Sequence, residues 1–332
     1  MIPQPRNAIV AVTLNCNARC TMCDIWQNDM HGEAPPAVFA RLPSSLQDVN
    51  ISGGEPFLRT DLPEVLAAIK STNPKARLVI STNGFQPGKT AKMLPDLLKA
   101  DPKLAMRVSI DGMQDTHDEV RGIPHGFQKC VQTLDLCRDA GIRDLGIGFT
   151  LLDRNVHELA ELHAFAESRK LQLSITIATD SPIYFGPGKE SMRPREAHAV
   201  RAAFSKVIDV QLRKFDAKEN FRGWFNRTLL EYHETNKRPF QCDGGSGFFY
   251  MDSFANVYLC HILSVRIGSL IQQSWEELWS SHEATAARDI AATCDKCWLV
   301  CTGKSQIWEH KWQIGGEILR DKLRAHLRPG RS

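Results

Sequence analysis

The sequence predicts an α/β protein: a partial (β/α)6, TIM-like barrel followed by a small C-terminal appendage. Three observations predict it. Six apolar, strand-like runs alternate with helix-like stretches between residues 8 and 215. Polar and glycine-containing motifs fall at the C-terminal ends of those runs, where parallel sheets keep their chemistry. From about residue 216 the rhythm changes, and a second group of cysteines follows.

The strand candidates are 8–13, 47–52, 77–81, 104–110, 144–151 and 172–178, with helices at about 61–72, 89–99, 126–140, 156–169 and 195–215. Strands each followed by a helix read as a parallel sheet with crossover connections. Residues 222–236 read as a helix carrying Trp224, Phe225, Tyr232 and His233. Then come Cys242-Asp243-Gly244-Gly245, a hairpin from Gly247 to Cys260 turning near Ser253 to Asn256, and a helix from about Trp275. Cys294, Cys297 and Cys301 follow, and 304–327 reads as a helix that becomes basic toward its end. The expected organisation is a barrel over 1–215, a linker helix over 216–241, a cysteine-bearing domain over 242–302 and a basic tail over 303–332.

A chain of 332 residues suits one large barrel plus an appendage. With 42% hydrophobic and 24% charged residues, it has the balance of a globular protein with a sizeable core. Its net charge of +3 is too near neutrality to argue for a nucleic-acid partner. Met1 to Asn7 contains no apolar signal-peptide core, and no apolar run approaches a membrane span. Ten cysteines are unusual for a cytoplasmic chain unless they bind metal. The expectation is therefore a cytoplasmic protein, away from membranes, whose reduced thiols are available to iron.

Cys16, Cys20 and Cys23 stand in Cys16-Asn17-Ala18-Arg19-Cys20-Thr21-Met22-Cys23, a C-x3-C-x2-C spacing just after the first strand. Three thiolates so close can converge on one iron–sulfur cluster. A [4Fe–4S] cluster normally takes four cysteines, so three leave one iron open to a substrate or cofactor. Zinc prefers four ligands in paired C-x2-C halves, and no fourth Cys or His lies close by in the sequence. Zinc or buried free thiols are the alternatives.

Ser52-Gly53-Gly54-Glu55-Pro56 follows the second strand. Two glycines let a backbone pass close to a ligand, and an acid can accept hydrogen bonds from an ammonium group. Ser81-Thr82-Asn83-Gly84 ends the third strand and Ser109-Ile110-Asp111-Gly112 the fourth, each with short polar side chains before a glycine. Arg121 offers a guanidinium suited to a carboxylate, or is a surface arginine near a helix end.

Together these segments resemble the radical S-adenosylmethionine (SAM) superfamily. The resemblance implies that Cys16, Cys20 and Cys23 hold a [4Fe–4S] cluster whose open iron chelates SAM. It implies that Gly53, Gly54 and Glu55 hold the SAM amino group, and that Ser81, Asn83, Ser109 and Asp111 help form the pocket. Arg121 would pair with the SAM carboxylate, and Asn155 would lie near the ribose. Met22 takes a position that is often aromatic in the superfamily, where its thioether can cover the adenine. Cys242 and Cys260, separated by 17 residues, and the pair Cys294-x2-Cys297 resemble the twitch form of the SPASM extension, which holds an auxiliary [4Fe–4S] cluster. Zinc is chemically adequate for the same four thiols. Cys301 is left over as a ligand, a spare thiol or a hydrogen donor, and Cys130 and Cys137 fit core packing on one helix face.

The resemblance further implies the reaction. A reduced cluster, fed by a donor such as flavodoxin or ferredoxin, cleaves SAM to methionine and a 5′-deoxyadenosyl radical, which abstracts hydrogen from a substrate C–H bond. The first expectation for the substrate is a small polar alcohol of the sugar or aminocyclitol type, dehydrogenated while the auxiliary cluster accepts the second electron. The alternatives are an epimerase using Cys301 as hydrogen donor, or a radical maturase of a ribosomal peptide. A non-enzymatic iron–sulfur carrier would have no need of the Gly53-Gly54-Glu55 and Ser109-Ile110-Asp111-Gly112 segments. Asp180 and Tyr184, after the sixth strand, are the candidates to bind or deprotonate a hydroxyl, and His261 stands beside Cys260.

Overall fold

The computed structural model describes residues 2–27, 32–182 and 191–327. The first six strands are β1 (Asn7–Thr13), β2 (Asp48–Gly53), β3 (Arg77–Thr82), β4 (Ala105–Ser109), β5 (Leu145–Leu151) and β6 (Gln172–Ile177). They pair in sequence order, all parallel. Helices α1 (Pro36–Phe39), α2 (Leu62–Thr72), α3 (Pro87–Ala100), α4 (Gln114–Arg121), α5 (Gly126–Asp139) and α6 (Leu159–Ser168) lie between them. All seven residues of β1 are buried, as a strand covered on both faces requires. The six strand expectations agree with the structure to within a residue or so. Helix α4 is an addition; its composition carries no apolar stripe, and it ends where Gly122 adopts φ 64°.

The C-terminal half continues with α7 (Ala197–Arg213), α8 (Ala217–Thr235), β7 (Phe248–Met251), β8 (Asn256–Tyr258), β9 (Arg266–Ser269), α9 (Trp275–Trp279), α10 (His282–Ala292), α11 (Val300–Glu309) and α12 (Lys311–Leu327). The expected hairpin is present: β7 and β8 pair antiparallel, with Tyr250 opposite Tyr258. Asp252 pins its turn by accepting hydrogen bonds from the amides of Phe254 and Asn256 and from the Tyr258 hydroxyl. The hairpin is not a separate layer. β7 pairs in parallel with β1, Asn7 to Phe248 through Val10 to Met251, so one sheet runs β6-β5-β4-β3-β2-β1-β7-β8-β9. The physical reason is that β1 would otherwise be a bare edge, exposing a row of unpaired backbone groups. All four side chains of β7 are buried, an apolar contribution on the order of 2 kcal/mol each.

The expected single helix over 304–327 is two helices, broken at His310, whose ring stacks on Phe240 at 4.3 Å. α12 is not simply a solvated basic face. Its Glu317 accepts from Trp224 Nε1 at 2.8 Å, and its Asp321 pairs with Arg227 at 2.7 Å, which fastens it to α8. At the N-terminal end of the barrel strands Arg77 pairs with Asp48 and Asp144, and Arg107 pairs with Asp144. Among the described residues no helix is long and apolar enough to cross a membrane.

Candidate active site

The C-terminal ends of the barrel strands open into a cavity of about 350 Å³. Cys16, Cys20 and Cys23, on the loop leaving β1, line it together with Met22, Gly53, Gly54, Ser81, Asn83, Ser109 and Arg121. The sequence expectations thus converge in one space, although they come from four different strand ends. Its far side is built by His261, Ile262, Leu299 and Cys301 from the C-terminal half. The Ser181 hydroxyl, after β6, donates to the His261 carbonyl at 2.5 Å and joins the two halves.

The glycines act on the cysteine loop itself. Gly54 N donates to Thr13 O and Glu55 N to Asn15 O, both at 2.8 Å. A Cβ on Gly54 would lie 2.1 Å from Asn15 O, and one on Gly53, at φ 120°, would lie 2.1 Å from Thr13 O. Only glycine permits that approach. Glu55 is turned away from the cavity. Its buried carboxylate accepts from Asn83 N at 2.6 Å, Thr82 Oγ1 at 2.8 Å and Phe57 N at 3.0 Å. Burial pushes its pKa up, while these three bonds pull the other way. Glu55 thereby braces the loops after β2 and β3.

Arg121 does line the cavity, but it is already paired. Its Nε meets Asp111 Oδ2 at 2.5 Å, and its Nη1 lies 3.7 Å from Cys20 Sγ. Burial works against its charge; Asp111 and Cys20 outweigh that and keep the guanidinium charged. Asp111 is fully buried, holds Arg121 and accepts from Thr150 N at 2.7 Å, so it shapes the pocket from behind. Asn155 is also fully buried: its amide accepts from Leu152 N and donates to the carbonyls of Asp111 and Thr150. That clips the β5 loop. Asn83 Nδ2 donates to Asn17 Oδ1 at 2.7 Å and stands 4.0 Å from Cys16 Sγ. Asp180 is exposed and does not line the cavity, whereas its neighbours Thr179 and Ser181 do. Tyr184 lies outside the described residues.

Burial pushes the Cys16 thiol up to about 11 and Cys23 to about 12, and raises Cys20. Without metal these groups are neutral thiols. In the C-terminal half, Cys242 and Cys294 hydrogen-bond one another, which makes the first proton of that pair easy to lose and the second hard. Cys260 and Cys297 are buried and lie within electrostatic reach of Cys294. Cys260 Sγ accepts from Leu263 N at 3.3 Å. Cys301, in the first turn of α11, faces the cavity, with burial raising it to about 12. Cys130 and Cys137 are fully buried core residues.

Both cysteine sets suit iron–sulfur clusters. Among the described residues no three His, Cys, Asp or Glu side chains crowd together as a chelate for one bare ion. A cubane asks for a wider spacing, because each thiolate bonds a different iron. Two contributors went unread in the sequence. Arg238 reaches Cys297, and His117 accepts the Asp111 amide at 3.0 Å with its ring held neutral by burial. A lone arginine four residues before Cys242 carries no local signal.

A family model described as the Radical SAM superfamily matches residues 10–166, and one described as an iron-sulfur cluster-binding domain, SPASM, matches residues 242–298. An AdoMet-dependent heme synthase of Methanosarcina barkeri is 24% identical over 358 residues, covering 100% of this chain and 99% of the relative. The sporulation killing factor maturation protein SkfB of Bacillus subtilis is 22% identical over 315 residues, covering 92% of this chain and 71% of the relative. Among solved structures, anSMEcpe with bound AdoMet and the Cp18Cys peptide superposes with a TM-score of 0.65 at 15% identity, covering 95% of this chain and 99% of that one.

Proposed function

Because the chain belongs to the radical SAM superfamily and carries a SPASM iron–sulfur cluster-binding domain, we propose that it oxidises a small, neutral, hydroxyl-bearing substrate at a C–H bond. The observation that carries this reading is the shared cavity, bounded by Cys16, Cys20 and Cys23 on one side and by His261, Leu299 and Cys301 on the other. A substrate there would lie against the first cysteine set, with Cys301, four residues after Cys297, in the same lining. Cys16, Cys20 and Cys23 would hold a [4Fe–4S] cluster with SAM at its open iron, and Cys242, Cys260, Cys294 and Cys297 a second, closed one. When bound, the first cluster supplies the electron that breaks the SAM sulfonium bond to give a hydrogen-abstracting radical.

The chain's own residues do the rest. Asn50, Ser52, Ser81, Thr150, Thr176 and Thr179 line the cavity with neutral donors and acceptors. Arg121 is balanced by Asp111, so the lining favours an uncharged polar substrate over a polyanion. Leu299, Ile262 and buried Met22 exclude water from a reactive carbon centre. With both groups bound, the substrate would give a hydrogen atom to the SAM-derived radical, an electron to the C-terminal site and its hydroxyl proton to water, leaving a carbonyl. A flavodoxin- or ferredoxin-type donor would resupply the first cluster.

Two observations support second readings. Cys301, a neutral thiol in the same cavity, suits hydrogen return and hence epimerisation. The likeness to a peptide maturation protein over most of the chain supports a peptide substrate. The deciding experiment incubates anaerobically reconstituted enzyme with SAM, reductant and panels of sugars, aminocyclitols, porphyrins and peptides, followed by mass spectrometry. A product two hydrogens lighter from a sugar or aminocyclitol, matched to 5′-deoxyadenosine, is expected. A product of unchanged mass that gains solvent deuterium, lost in Cys301→Ala, would establish the epimerase. Turnover of peptides or porphyrins alone would overturn the alcohol reading.

A further inference from the structure

Each cysteine set has one guanidinium on a thiol sulfur, and the two differ in how that charge is balanced. At the barrel mouth Arg121 Nη1 lies 3.7 Å from Cys20 Sγ, while its Nε is neutralised by Asp111 at 2.5 Å. At the C-terminal set Arg238 Nη1 lies 3.8 Å from Cys297 Sγ. Its remaining acceptors are carbonyl oxygens: Nη1 to Cys297 O at 2.5 Å, Nε to Phe240 O at 3.1 Å and Nη2 to Thr302 O at 3.4 Å. Its Cζ sits 5.3 Å from the ring centroid of Trp298, a fully buried side chain. Among the described residues no carboxylate forms an ion pair with it. The nearby acid on the adjoining segment, Asp295, accepts Arg238's backbone N–H at 3.2 Å. Asp243 also feels Arg238, but hydrogen-bonds Ser305. The Arg238 charge acts on Cys242, Cys294 and Cys297 together.

We infer that Arg238 makes the C-terminal site an electron acceptor, by holding an ion-pair-free guanidinium against the Cys297 sulfur. The inference rests on the reading of that site as a [4Fe–4S] cluster. Reduction adds one negative charge that spreads over the cluster and its thiolates. A fixed cation and an N–H···S contact stabilise the reduced state more than the oxidised one, and so raise the reduction potential. Arg121 has the same contact but a paired charge, so it lifts its site less. A substrate radical would then lose its electron to the more easily reduced site, with the proton leaving separately. Arg238 is thus a positioning residue for the electron. It does not touch the substrate cavity. Its carbonyl contacts show that it also clamps the segment carrying Cys297 and Cys301, so a purely structural role must be separable by experiment.

The test compares Arg238→Gln and Arg238→Lys with unsubstituted protein by EPR-monitored redox titration. It uses the full-length chain with Cys16, Cys20 and Cys23 replaced by alanine, so that the C-terminal cluster is read alone. With iron content retained, Arg238→Gln is expected to shift the midpoint to more negative potential, and Arg238→Lys to restore most of that shift. An unmoved midpoint in Arg238→Gln, or equal shifts in both variants, overturns the inference. Should Arg238→Gln fail to load iron, proton ENDOR of the reduced cluster decides. An exchangeable proton coupled to the cluster in unsubstituted protein, with its coupling altered in Arg238→Lys, supports the contact; its absence from unsubstituted protein refutes it. Failure of the underlying reading looks different: the unsubstituted C-terminal site would then hold zinc or no metal, and there would be no midpoint to measure.

Discussion

Replacing Gly54 with alanine tests whether the glycine pair exists to seat the cysteine loop. Gly54 does not need a positive φ, so alanine is allowed by the backbone and the effect is purely one of space. The new Cβ would stand 2.1 Å from Asn15 O and 2.6 Å from Asn15 C. Relieving that clash means moving the Asn15 carbonyl by about 1 Å, and overpacking of this kind typically costs about 1–3 kcal/mol. The movement also pulls on two backbone hydrogen bonds, Gly54 N to Thr13 O and Glu55 N to Asn15 O, each contributing about 1 kcal/mol. The combined penalty, on the order of 3–5 kcal/mol, falls on the residue next to Cys16. A displacement of about 1 Å at a reacting centre can lower rates by about 100-fold. Gly54→Ala should therefore lose iron at the N-terminal site and lose 5′-deoxyadenosine formation, while the C-terminal iron remains. Gly88→Ala, where nothing lies within 4 Å of the added Cβ, is the matched control. The assay is iron content after anaerobic reconstitution, together with SAM cleavage measured by chromatography. Normal iron and normal cleavage in Gly54→Ala would refute the role given to this contact.

Reconstituted protein should hold about eight irons, and replacing Cys16, Cys20 and Cys23 with alanine should leave about four and abolish SAM cleavage; zinc in the remaining site would sink the auxiliary-cluster assignment. Glu55→Gln sets an amide N–H against the Asn83 amide, and an unmet buried donor costs about 1–3 kcal/mol. SAM affinity measured by equilibrium binding should drop by about one to two decades with iron retained, and unchanged affinity would show that the brace between the two loops is dispensable. The metal-free protein should weaken in alkali. Cys16 and Cys23 are raised to about 11 and about 12 by burial, so their neutral forms support the fold fully below the ordinary thiol pKa. That support is lost as pH rises from the ordinary value toward the folded one. Thermal melts of metal-free protein should fall across that window, and the fall should be smaller in the triple alanine variant.

Local pattern was enough for the barrel. β1 to β6 are short apolar runs bounded by turn residues, and the C-x3-C-x2-C spacing needs only eight consecutive residues to bring three thiols to one mouth. Such features are local in the chain, so sequence carries them. Whether Glu55, Asp111 and Asn155 face a ligand or the fold was not legible. Their partners, Asn83, Arg121 and Thr150, stand 28, 10 and 5 residues away, and side-chain direction is decided by packing between loops. The same holds for the sheet. β7 lies far from β1 in sequence, and only the bare edge of β1 in three dimensions makes Phe248–Met251 its neighbour. Cys301 shows the division most plainly: its spacing from Cys297 left three roles open, and only the tertiary structure placed it in the cavity with Cys16, Cys20 and Cys23. Sequence determined which donors this protein owns and roughly where each strand delivers them. Tertiary structure decided which of them point inward, because that choice depends on burial and on packing between loops.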